Sequence, residues 1–210
     1  MTFKPMADLI PEGKVGQARI RHLVIEDQEA RYTRLRALIT RSPNEGISKG
    51  YYCQLLVGST LMMSDTGMER KTNREVVRKA QGHVLISGLG IGMILVPILS
   101  KPEVTKVTVV EKYQDVIDLV GPNFPDPKLE IIYADVHDFK PPKGTKYNVI
   151  YHDIWPWQST DTLKEMTTLH RRFARYLVPG GWQDSWRKKE LLARKKRENK
   201  QDRKLRCAWF

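Results

Sequence analysis

The stretch VLISGLGIGM, Val84–Met93, is the part of the sequence that decides the fold. The apolar run Val84–Ser87 predicts a short buried strand, the closely spaced glycines predict a tight turn, and Met93–Leu99 predicts a helix directly after them. Glycines leave room for the backbone to approach a ligand, and the start of a helix offers N–H donors to it. A glycine turn also joins strands to helices for purely structural reasons, and this stretch alone does not separate the two interpretations.

The chain after the glycine turn alternates between strands and helices. We predict strands at Lys106–Val110, Leu129–Tyr133, Tyr147–Tyr151 and around Trp182–Trp186, and helices at Tyr113–Val120, Thr162–Leu177 and Lys188–Lys204. Short apolar strands that alternate with helices predict an α/β fold, here a Rossmann-like, doubly wound and mostly parallel sheet.

A small β-rich region precedes this sheet in the sequence. Arg19–Glu26 alternates polar and apolar residues as a strand does, and Tyr51–Ser64 predicts a hairpin that turns at Gly58 and Ser59. Tyr32–Thr40 fits either a short helix or a strand, and Arg70–Ala80 predicts a charged helix. We therefore divide the chain into an irregular arm (1–18), a β-rich N-terminal region with a linking helix (19–82), a Rossmann-like domain (83–186) and a basic tail (187–210).

The basic tail holds most of the positive charge. Between Arg187 and Arg206 there are eleven Lys and Arg against three Asp and Glu, so the tail carries eight of the net +12 charges. Such a density is compatible with binding the phosphates of a nucleic acid. It is equally compatible with a solvated terminal helix that carries i,i+4 ion pairs such as Glu190–Arg194.

Composition points to a soluble protein that works in the cytoplasm. No apolar run approaches the ~20 residues that a membrane span needs, and the first residues lack the basic and apolar segments of a secretory signal. Cys53 and Cys207 show no metal-ligand spacing. We therefore expect two unpaired thiols in a reducing compartment, no metal site and no membrane partner.

Acidic residues follow the predicted strands of the second half. Glu111 ends the strand after the glycine turn, 23 residues beyond Gly88, where an acid in a Rossmann-like sheet accepts hydrogen bonds from ribose hydroxyls. Asp135 and Asp153 follow the next two strands, at the strand ends where open α/β sheets bind ligands. The dinucleotide pattern G-x-G-x-x-G would need glycine where Met93 stands. These residues therefore predict a nucleoside ligand other than a dinucleotide.

The same motifs in the same order resemble the class I methyltransferases that use S-adenosylmethionine (SAM). The resemblance implies SAM as cofactor, with the ribose at Glu111, the adenine amino group at Asp135 and the reacting centre at Asp153. Ile86 stands where many members of this superfamily carry an acid. The implied cofactor-binding residues are Gly88, Leu89, Gly90, Gly92, Glu111, Lys112, Asp135, Val136 and Asp153.

Within that superfamily, the chain resembles the spermidine-synthase-like branch, which also has a β-rich region before the core. The stretch Leu61–Lys71 (LMMSDTGMERK) resembles the loop that those enzymes fold over their active site. Ser64-Asp65-Thr66 with Glu69, His152–Trp155 and Trp182–Trp186 also resemble a family of bacterial and bacteriophage methyltransferase-like proteins. No substrate is known for that family, so the resemblance does not identify one. A phage origin would place the protein in the cytoplasm of the host.

Three functions remain open from the sequence. The first is a SAM-dependent methyltransferase that acts on a small-molecule or macromolecular acceptor. The second is an aminopropyltransferase that uses decarboxylated SAM, and the third is a protein that binds or consumes SAM without methyl transfer. Polyamine synthases carry an acid where Ile91 stands, and an acid would repel the carboxylate of intact SAM. Ile91 therefore favours SAM and methyl transfer.

Asp153 is the first candidate for positioning or deprotonating the acceptor, and His152 is a second candidate beside it. Adjacent residues at a strand end point in opposite directions, so one of the two is expected to face away from the site. Asp65, with Glu69, either closes over the site and recognises a cationic acceptor or caps the following helix.

Four tryptophans either line an acceptor pocket or pack in the core, namely Trp155, Trp157, Trp182 and Trp186. The N-terminal hairpin also offers a strand edge through which a homodimer is conceivable.

Overall fold

The computed structural model describes residues 3–40 and 46–208, with residues 202–208 by backbone alone. It contains two sheets. The N-terminal sheet is antiparallel, in the order β1-β2-β3-β4, and consists of β1 (Gly13–Val15), β2 (Ala18–Ile25), β3 (Gly50–Val57) and β4 (Thr60–Ser64). The second sheet has five strands that all pair in parallel, namely β5 (Gly82–Ser87), β6 (Val104–Glu111), β7 (Leu129–Tyr133), β8 (Tyr147–His152) and β9 (Leu177–Ser185).

The five parallel strands lie in the order β7-β6-β5-β8-β9, which confirms the predicted Rossmann-like sheet. The chain builds outward from β5 through β6 to β7, and then returns to place β8 on the other side of β5. The strand order therefore reverses beside β5, and in such sheets ligands bind at the carboxyl ends of the strands at this point. The helices are α1 (Asp27–Ile39), α2 (Gly67–Thr72), α3 (Arg74–Lys79), α4 (Leu95–Leu99), α5 (Gln114–Val120), α6 (Thr162–Ala174) and α7 (Lys188–Ala208).

Both faces of the parallel sheet are covered. On one face, α6 buries an apolar stripe that repeats every three or four residues, consisting of Leu163, Met166, Leu169 and Phe173, and α7 adds Leu191. On the other face, Ile20 and Leu55 of the N-terminal sheet share one apolar cluster with Ile86 of β5 and Val109 of β6. The two sheets are therefore packed around a common core.

The structure departs from the sequence prediction at several boundaries. The arm predicted as irregular contains the strand β1, and the ambiguous segment Tyr32–Thr40 falls mostly within α1. The charged helix predicted at Arg70–Ala80 is divided at Asn73 into α2 and α3. Asn73 is fully buried, where its side-chain amide donates to the carbonyl oxygen of Glu69 (3.1 Å) and accepts from the Tyr151 hydroxyl (3.0 Å). These bonds hold the break between the two helices against β8.

Two further expectations concern membranes and thiols. Within residues 3–40 and 46–208, we find no helix with the length and apolar character of a membrane span. Cys53 is buried and unpaired, and burial raises the pKa of its thiol to about 12. The side chain of Cys207 lies outside the described part of the chain.

Candidate active site

A cavity of about 250 Å³ opens at the carboxyl ends of β5, β6 and β8, where the strand order reverses. Its volume lies just below the ~300–1,000 Å³ typical of small-molecule sites. Of the nine residues that the sequence predicts for the cofactor, eight line this cavity, namely Gly88, Leu89, Gly90, Glu111, Lys112, Asp135, Val136 and Asp153. The carboxyl ends of β5, β6 and β8 and the glycine turn thus all border this cavity.

Gly88 lets the glycine turn lie directly against the residue that follows β8. Its φ angle is +94°, and an added Cβ would overlap the carbonyl oxygen of Asp153. The backbone N–H of Asp153 donates to the carbonyl oxygen of Ser87 at 2.8 Å, which fixes the two segments side by side. Glycine at this position is therefore needed to bring the turn and Asp153 to the same edge of the cavity.

The third glycine of the turn, Gly92, does not line the cavity. It has a φ of +66°, and an added Cβ would overlap the ring of Phe124, which is buried. The expectation that Gly92 contacts the cofactor is corrected by this placement, because Gly92 makes room for a core side chain. Gly90 does line the cavity, and an added Cβ there would overlap the sulfur of Met63 from β4.

Glu111 connects the end of β6 to the glycine turn. Its carboxylate accepts hydrogen bonds from the backbone N–H groups of Leu89 (2.8 Å) and Tyr113 (2.9 Å). Burial raises the pKa of Glu111, and these two bonds act in the opposite direction. Each carboxylate oxygen has two lone pairs, so Glu111 keeps acceptor capacity for hydroxyl groups of a ligand in the cavity.

The wall next to Glu111 combines one further acid with apolar surface. Asp135 accepts the backbone N–H of His137 through Oδ1 (2.8 Å), while Oδ2 has no hydrogen-bond partner among the described residues. Val136 is buried, and the Nζ atom of Lys112 lies 5.0 Å from the centre of the Tyr113 ring. This wall offers acceptor oxygens beside apolar contacts, a combination that suits a nucleoside.

Two further carboxylates, those of Asp153 and Glu69, line the same cavity. Burial alone raises the pKa of Asp153 to about 7. Burial and then the charge of Asp153 raise the pKa of Glu69 to about 8, against the opposing effects of Arg187 and the Trp186 indole. Glu69 comes from α2, so the N-terminal region supplies one of the two acids.

Apolar side chains also line the cavity. Trp155 and Trp186, which the sequence places either in an acceptor pocket or in the core, are largely buried and line the cavity. Leu55, Val57, Met62 and Met63 come from the N-terminal sheet. The sequence does not predict these four residues as part of a site, because nothing in the pattern of β3 and β4 separates a cavity wall from an ordinary core strand.

His152 does not belong to the cavity, which corrects its selection as a catalytic candidate. It is fully buried on the opposite side of β8 from Asp153, with Nδ1 2.8 Å from the Ser87 hydroxyl and with its ring beside Phe173 of α6. Burial, together with nearby His170, lowers the pKa of His152 to about 3. The alternation of side chains along a strand places Asp153 in the cavity and His152 in the core.

Asp65 is also removed from the catalytic candidates, because it does not line the cavity. Its fully buried carboxylate accepts from the backbone N–H of Met6 (2.9 Å) and of Cys53 (2.8 Å), and it pairs with Arg70 (2.9 Å). Asp65 therefore ties the N-terminal segment to β3 and α2.

Three other residues singled out from the sequence also lie away from the cavity. Ile91 is fully buried in the core, so its side chain does not face a ligand. Trp157 is 63% exposed, and Trp182 stacks on Tyr151 with 6.3 Å between ring centres. No group of three or more metal-ligating side chains occurs within the described residues.

The strand order defines a Rossmann-like fold, and the cavity lies at the strand-order reversal, where such sheets bind their ligands. No protein-family model and no curated protein sequence matches the chain. The predicted likeness to phage methyltransferase-like proteins therefore stays a prediction.

Several solved structures resemble the chain in fold. Spermidine synthase from Thermotoga maritima is 19% identical over 80% of this chain and 53% of that chain, with a TM-score of 0.48. The CcbJ methyltransferase from Streptomyces caelestis is 18% identical over 53% and 46%, with a TM-score of 0.43. The N-methyltransferase NodS from Bradyrhizobium japonicum WM9 is 15% identical over 54% and 64%, with a TM-score of 0.42. The chain spans about half the length of the first two structures.

Proposed function

We propose that the chain is a SAM-dependent methyltransferase whose acceptor reacts beside Asp153. One observation carries the proposal: Glu111 and Asp153, at the ends of β6 and β8, both meet the glycine turn at one cavity. Bound SAM would supply a methyl group already activated by its sulfonium. The contribution of the protein is then to hold two reactants in line and to accept a proton.

The cavity wall around Glu111 is the part that would hold the nucleoside. Glu111 has free lone pairs for ribose hydroxyls, and Asp135 has an unpaired oxygen for the adenine amino group. Val136 and the glycine turn provide apolar and backbone surface beside them. The residues present therefore fit an adenosyl group.

Asp153 would act on the acceptor. Its carboxylate makes no hydrogen bond or ion pair with the described residues, and burial raises its pKa to about 7. A general base is most effective when its pKa lies near the working pH. Asp153 is thus placed to take the proton of the acceptor, while bound SAM would supply the methyl group and leave as S-adenosylhomocysteine once its carbon–sulfur bond breaks.

Aminopropyl transfer remains the second candidate, because the structure does not support the argument from Ile91 against it. From the sequence, SAM is favoured over decarboxylated SAM because Ile91 stands where polyamine synthases carry an acid that would repel the carboxylate of SAM. Ile91 points into the core, so it neither attracts nor repels a donor in the cavity. A protein that binds SAM without transferring its methyl group is the third candidate.

Calorimetric titration with SAM, decarboxylated SAM and S-adenosylhomocysteine tests the nucleoside site and the choice of donor. We expect SAM and S-adenosylhomocysteine to bind, and decarboxylated SAM to bind more weakly. Preference for decarboxylated SAM would instead support the second candidate, and no binding by any of the three would exclude the proposal.

Methyl-labelled SAM incubated with separate pools of small amines, RNA, DNA and protein then tests methyl transfer itself. We expect label to enter one pool, and to do so far more slowly with Asp153→Asn. The nucleic-acid pools also test whether the basic tail recruits a macromolecular acceptor. Binding of SAM with no label in any pool would favour the third candidate.

A further inference from the structure

Helix α7 packs against the rest of the protein near its start. Leu191 is buried in the apolar cluster that α6 contributes to, and Lys189 pairs with Glu75 of α3 at 2.6 Å. From residue 192 to residue 201, every side chain except that of Glu198 is exposed. At 1.5 Å per residue, this exposed part is roughly 15 Å long. Helix α7 therefore presents a surface that no described residue covers.

Positive charge is concentrated on this helix. Residues 188–201 contain seven Lys and Arg against two Glu. Both acids are already paired, Glu190 with Arg187 (2.6 Å) and Glu198 with Arg194 (2.9 Å). Like charges four residues apart destabilise a helix until an anion balances them. Three lysines of the exposed part pair with no acid in the described part of the chain, and they are Lys195, Lys196 and Lys200.

These lysines divide between two faces of α7. Successive residues of an α-helix are turned by about 100°, so residues seven and eleven positions apart share a face. Lys196 and Lys200 therefore lie on the same face as Lys189, which points to Glu75 of α3. Lys195 lies about 120° around the helix from Lys189. The face that carries Lys189, Lys196 and Lys200 thus continues the surface of α3.

Glu75 also lines a groove of about 490 Å³ between α2, α3 and the start of α7. The cations that line this groove outnumber the acids by four to two, and they are Lys71, Arg74, Arg78 and Arg187 against Glu75 and Glu190. The guanidinium of Arg74 has no partner among the described residues. We call the groove and the adjoining face of α7 the basic surface. Its defining residues are Arg74 and Arg78 from the groove and Lys189, Lys196 and Lys200 from α7.

A polyanion with regularly spaced charges fits the basic surface. From Lys189 to Lys200, the row of cations on α7 is roughly 17 Å long, and one strand of a DNA duplex carries a phosphate every ~3.4 Å. The groove adds Arg74, because a guanidinium holds a phosphate through two parallel hydrogen bonds. The basic surface therefore matches about four or five successive phosphates.

The apolar content of α7 argues against a lipid bilayer as the partner. Helices that lie on anionic membranes bury an apolar face in them. Among the described side chains of α7, Leu191 is buried in the core, and Leu192 is the one other large apolar residue. The described residues that line the groove include no aromatic ring on which a base could stack. The basic surface therefore suits the backbone of a nucleic acid.

We propose that the basic surface binds the sugar–phosphate backbone of a nucleic acid without regard to base sequence. Contacts to phosphates position a protein on a nucleic acid and carry no information about the bases. RNA and DNA share this chemistry, and probes of each distinguish them. The proposal goes beyond SAM-dependent transfer and does not depend on it, because no residue of the basic surface lines the nucleoside cavity.

Fluorescence anisotropy tests the binding with fluorescein-labelled single-stranded RNA, single-stranded DNA and duplex DNA of about 20 nucleotides, each in two unrelated sequences. At about 100 mM NaCl we expect a Kd of ~1–100 µM for at least one kind of probe. Its two sequences should differ by less than about twofold in affinity. Raising NaCl from about 50 to 200 mM should weaken that binding by about 50- to 150-fold, as expected for four neutralised phosphates.

Two neighbouring lysines give a matched pair of variants. Lys196→Gln and Arg74→Gln each remove a cation of the basic surface, whereas Lys195→Gln removes an equally charged, exposed side chain from another face of α7. The first two should each weaken binding about five- to eightfold near 100 mM NaCl and make the plot of log K against log [NaCl] shallower by about 0.7–0.9. Lys195→Gln should change the affinity by less than about twofold. Gln and Lys have similar helix propensities, so α7 should be retained, which circular dichroism verifies.

Several results would overturn the proposal. One is the absence of binding to every probe at about 50 mM NaCl, and another is an equal loss of affinity in Lys195→Gln and Lys196→Gln. Displacement of the probe by poly-L-glutamate as effectively as by unlabelled nucleic acid would show that negative charge alone is recognised. Tighter binding to vesicles with about 30% phosphatidylserine than to any probe would assign the surface to lipid. No titration contains SAM or S-adenosylhomocysteine, so failure here is distinguishable from failure of the proposed function.

Discussion

The carboxylate of Glu111, at the end of β6, accepts the backbone N–H of Leu89 in the glycine turn across 2.8 Å. This bond connects the acid that we propose for the ribose with the glycine turn at the edge of the cavity. Under the proposed function, loss of the carboxylate would remove a contact to the ligand and would also free the turn.

Glu111→Ala should weaken the binding of S-adenosylhomocysteine by about 10- to 100-fold, because two buried N–H groups lose their acceptor along with the ribose. Glu111→Gln keeps one acceptor oxygen and should lose less. Calorimetric titration of both variants gives the comparison. Unchanged affinity in Glu111→Ala would show that the nucleoside does not bind here.

Asp65→Ala should destabilise the protein without a specific effect on the cavity. A fully buried carboxylate with three donors is lost, and we expect a cost of about 3–5 kcal/mol in the free energy of unfolding. Asp27→Ala removes an exposed acid paired with Lys49 and should cost less than ~1 kcal/mol. Denaturant unfolding measures both. A loss of S-adenosylhomocysteine binding by Asp65→Ala at unchanged stability would return Asp65 to the site.

Gly88→Ala should reduce both stability and ligand binding more than Gly144→Ala does. Ala at this position adopts a strained positive φ, and its Cβ meets the backbone of Asp153. Gly144 has a similar φ of +85° with no atom near an added Cβ, so Gly144→Ala carries the strain alone. We expect Gly144→Ala to lose about 1 kcal/mol of stability and to bind S-adenosylhomocysteine normally. Gly88→Ala should lose more stability and also bind poorly, and equal behaviour of the two variants would argue against the close approach.

His152 and His170 should each lower the stability of the folded protein in acid. Burial lowers the pKa of His152 to about 3 and that of His170 to about 4, whereas in the unfolded chain both lie near ~6.5. At these two residues the unfolded form therefore binds more protons between pH 6.5 and pH 4, which lowers stability as the pH falls, whereas the raised pKa values of Glu69 and Asp153 act in the opposite direction over the same range. The contribution of His152 is therefore measured by comparing the wild type with His152→Gln in thermal unfolding at pH 7, 5.5 and 4.5. The variant should gain stability relative to the wild type as the pH falls, and an identical pH dependence of the two would show that His152 does not contribute.

The parallel sheet was predictable from the sequence because its central strands, β5, β6 and β8, are largely buried on both sides. Leu129–Tyr133 was predicted with the bounds that β7 has, and Val84–Ser87 forms all but the start of β5. Strands of this kind have a continuous apolar run that local pattern captures.

Helix α1 shows where local pattern misleads. Leu35, Leu38 and Ile39 suggested its helical spacing, yet each is more than half exposed, and α1 buries Ala30 and Ala37 instead. Small residues allow a close approach between elements, and only the packed structure shows which face makes that approach.

Asp65 and Glu69, which precede the parallel sheet in the sequence, show that local pattern is also insufficient to identify the residues of the site. Asp65 and Glu69 are four residues apart and carry the same charge, so the sequence treats them alike. The structure separates them, because Asp65 meets the backbone of Met6 and Cys53 while Glu69 faces the cavity. Contacts between segments that are distant in the sequence determine which of the two acids faces the cavity, and local sequence patterns do not predict such contacts.

The walls of the cavity come from two sheets that lie in separate parts of the chain. Leu55, Val57, Met62 and Met63 come from the hairpin, whereas Glu111 and Asp153 come from the ends of two parallel strands. Under the proposed function, substitutions in the hairpin would change which acceptors fit the cavity, and the residues proposed to hold the donor would stay the same.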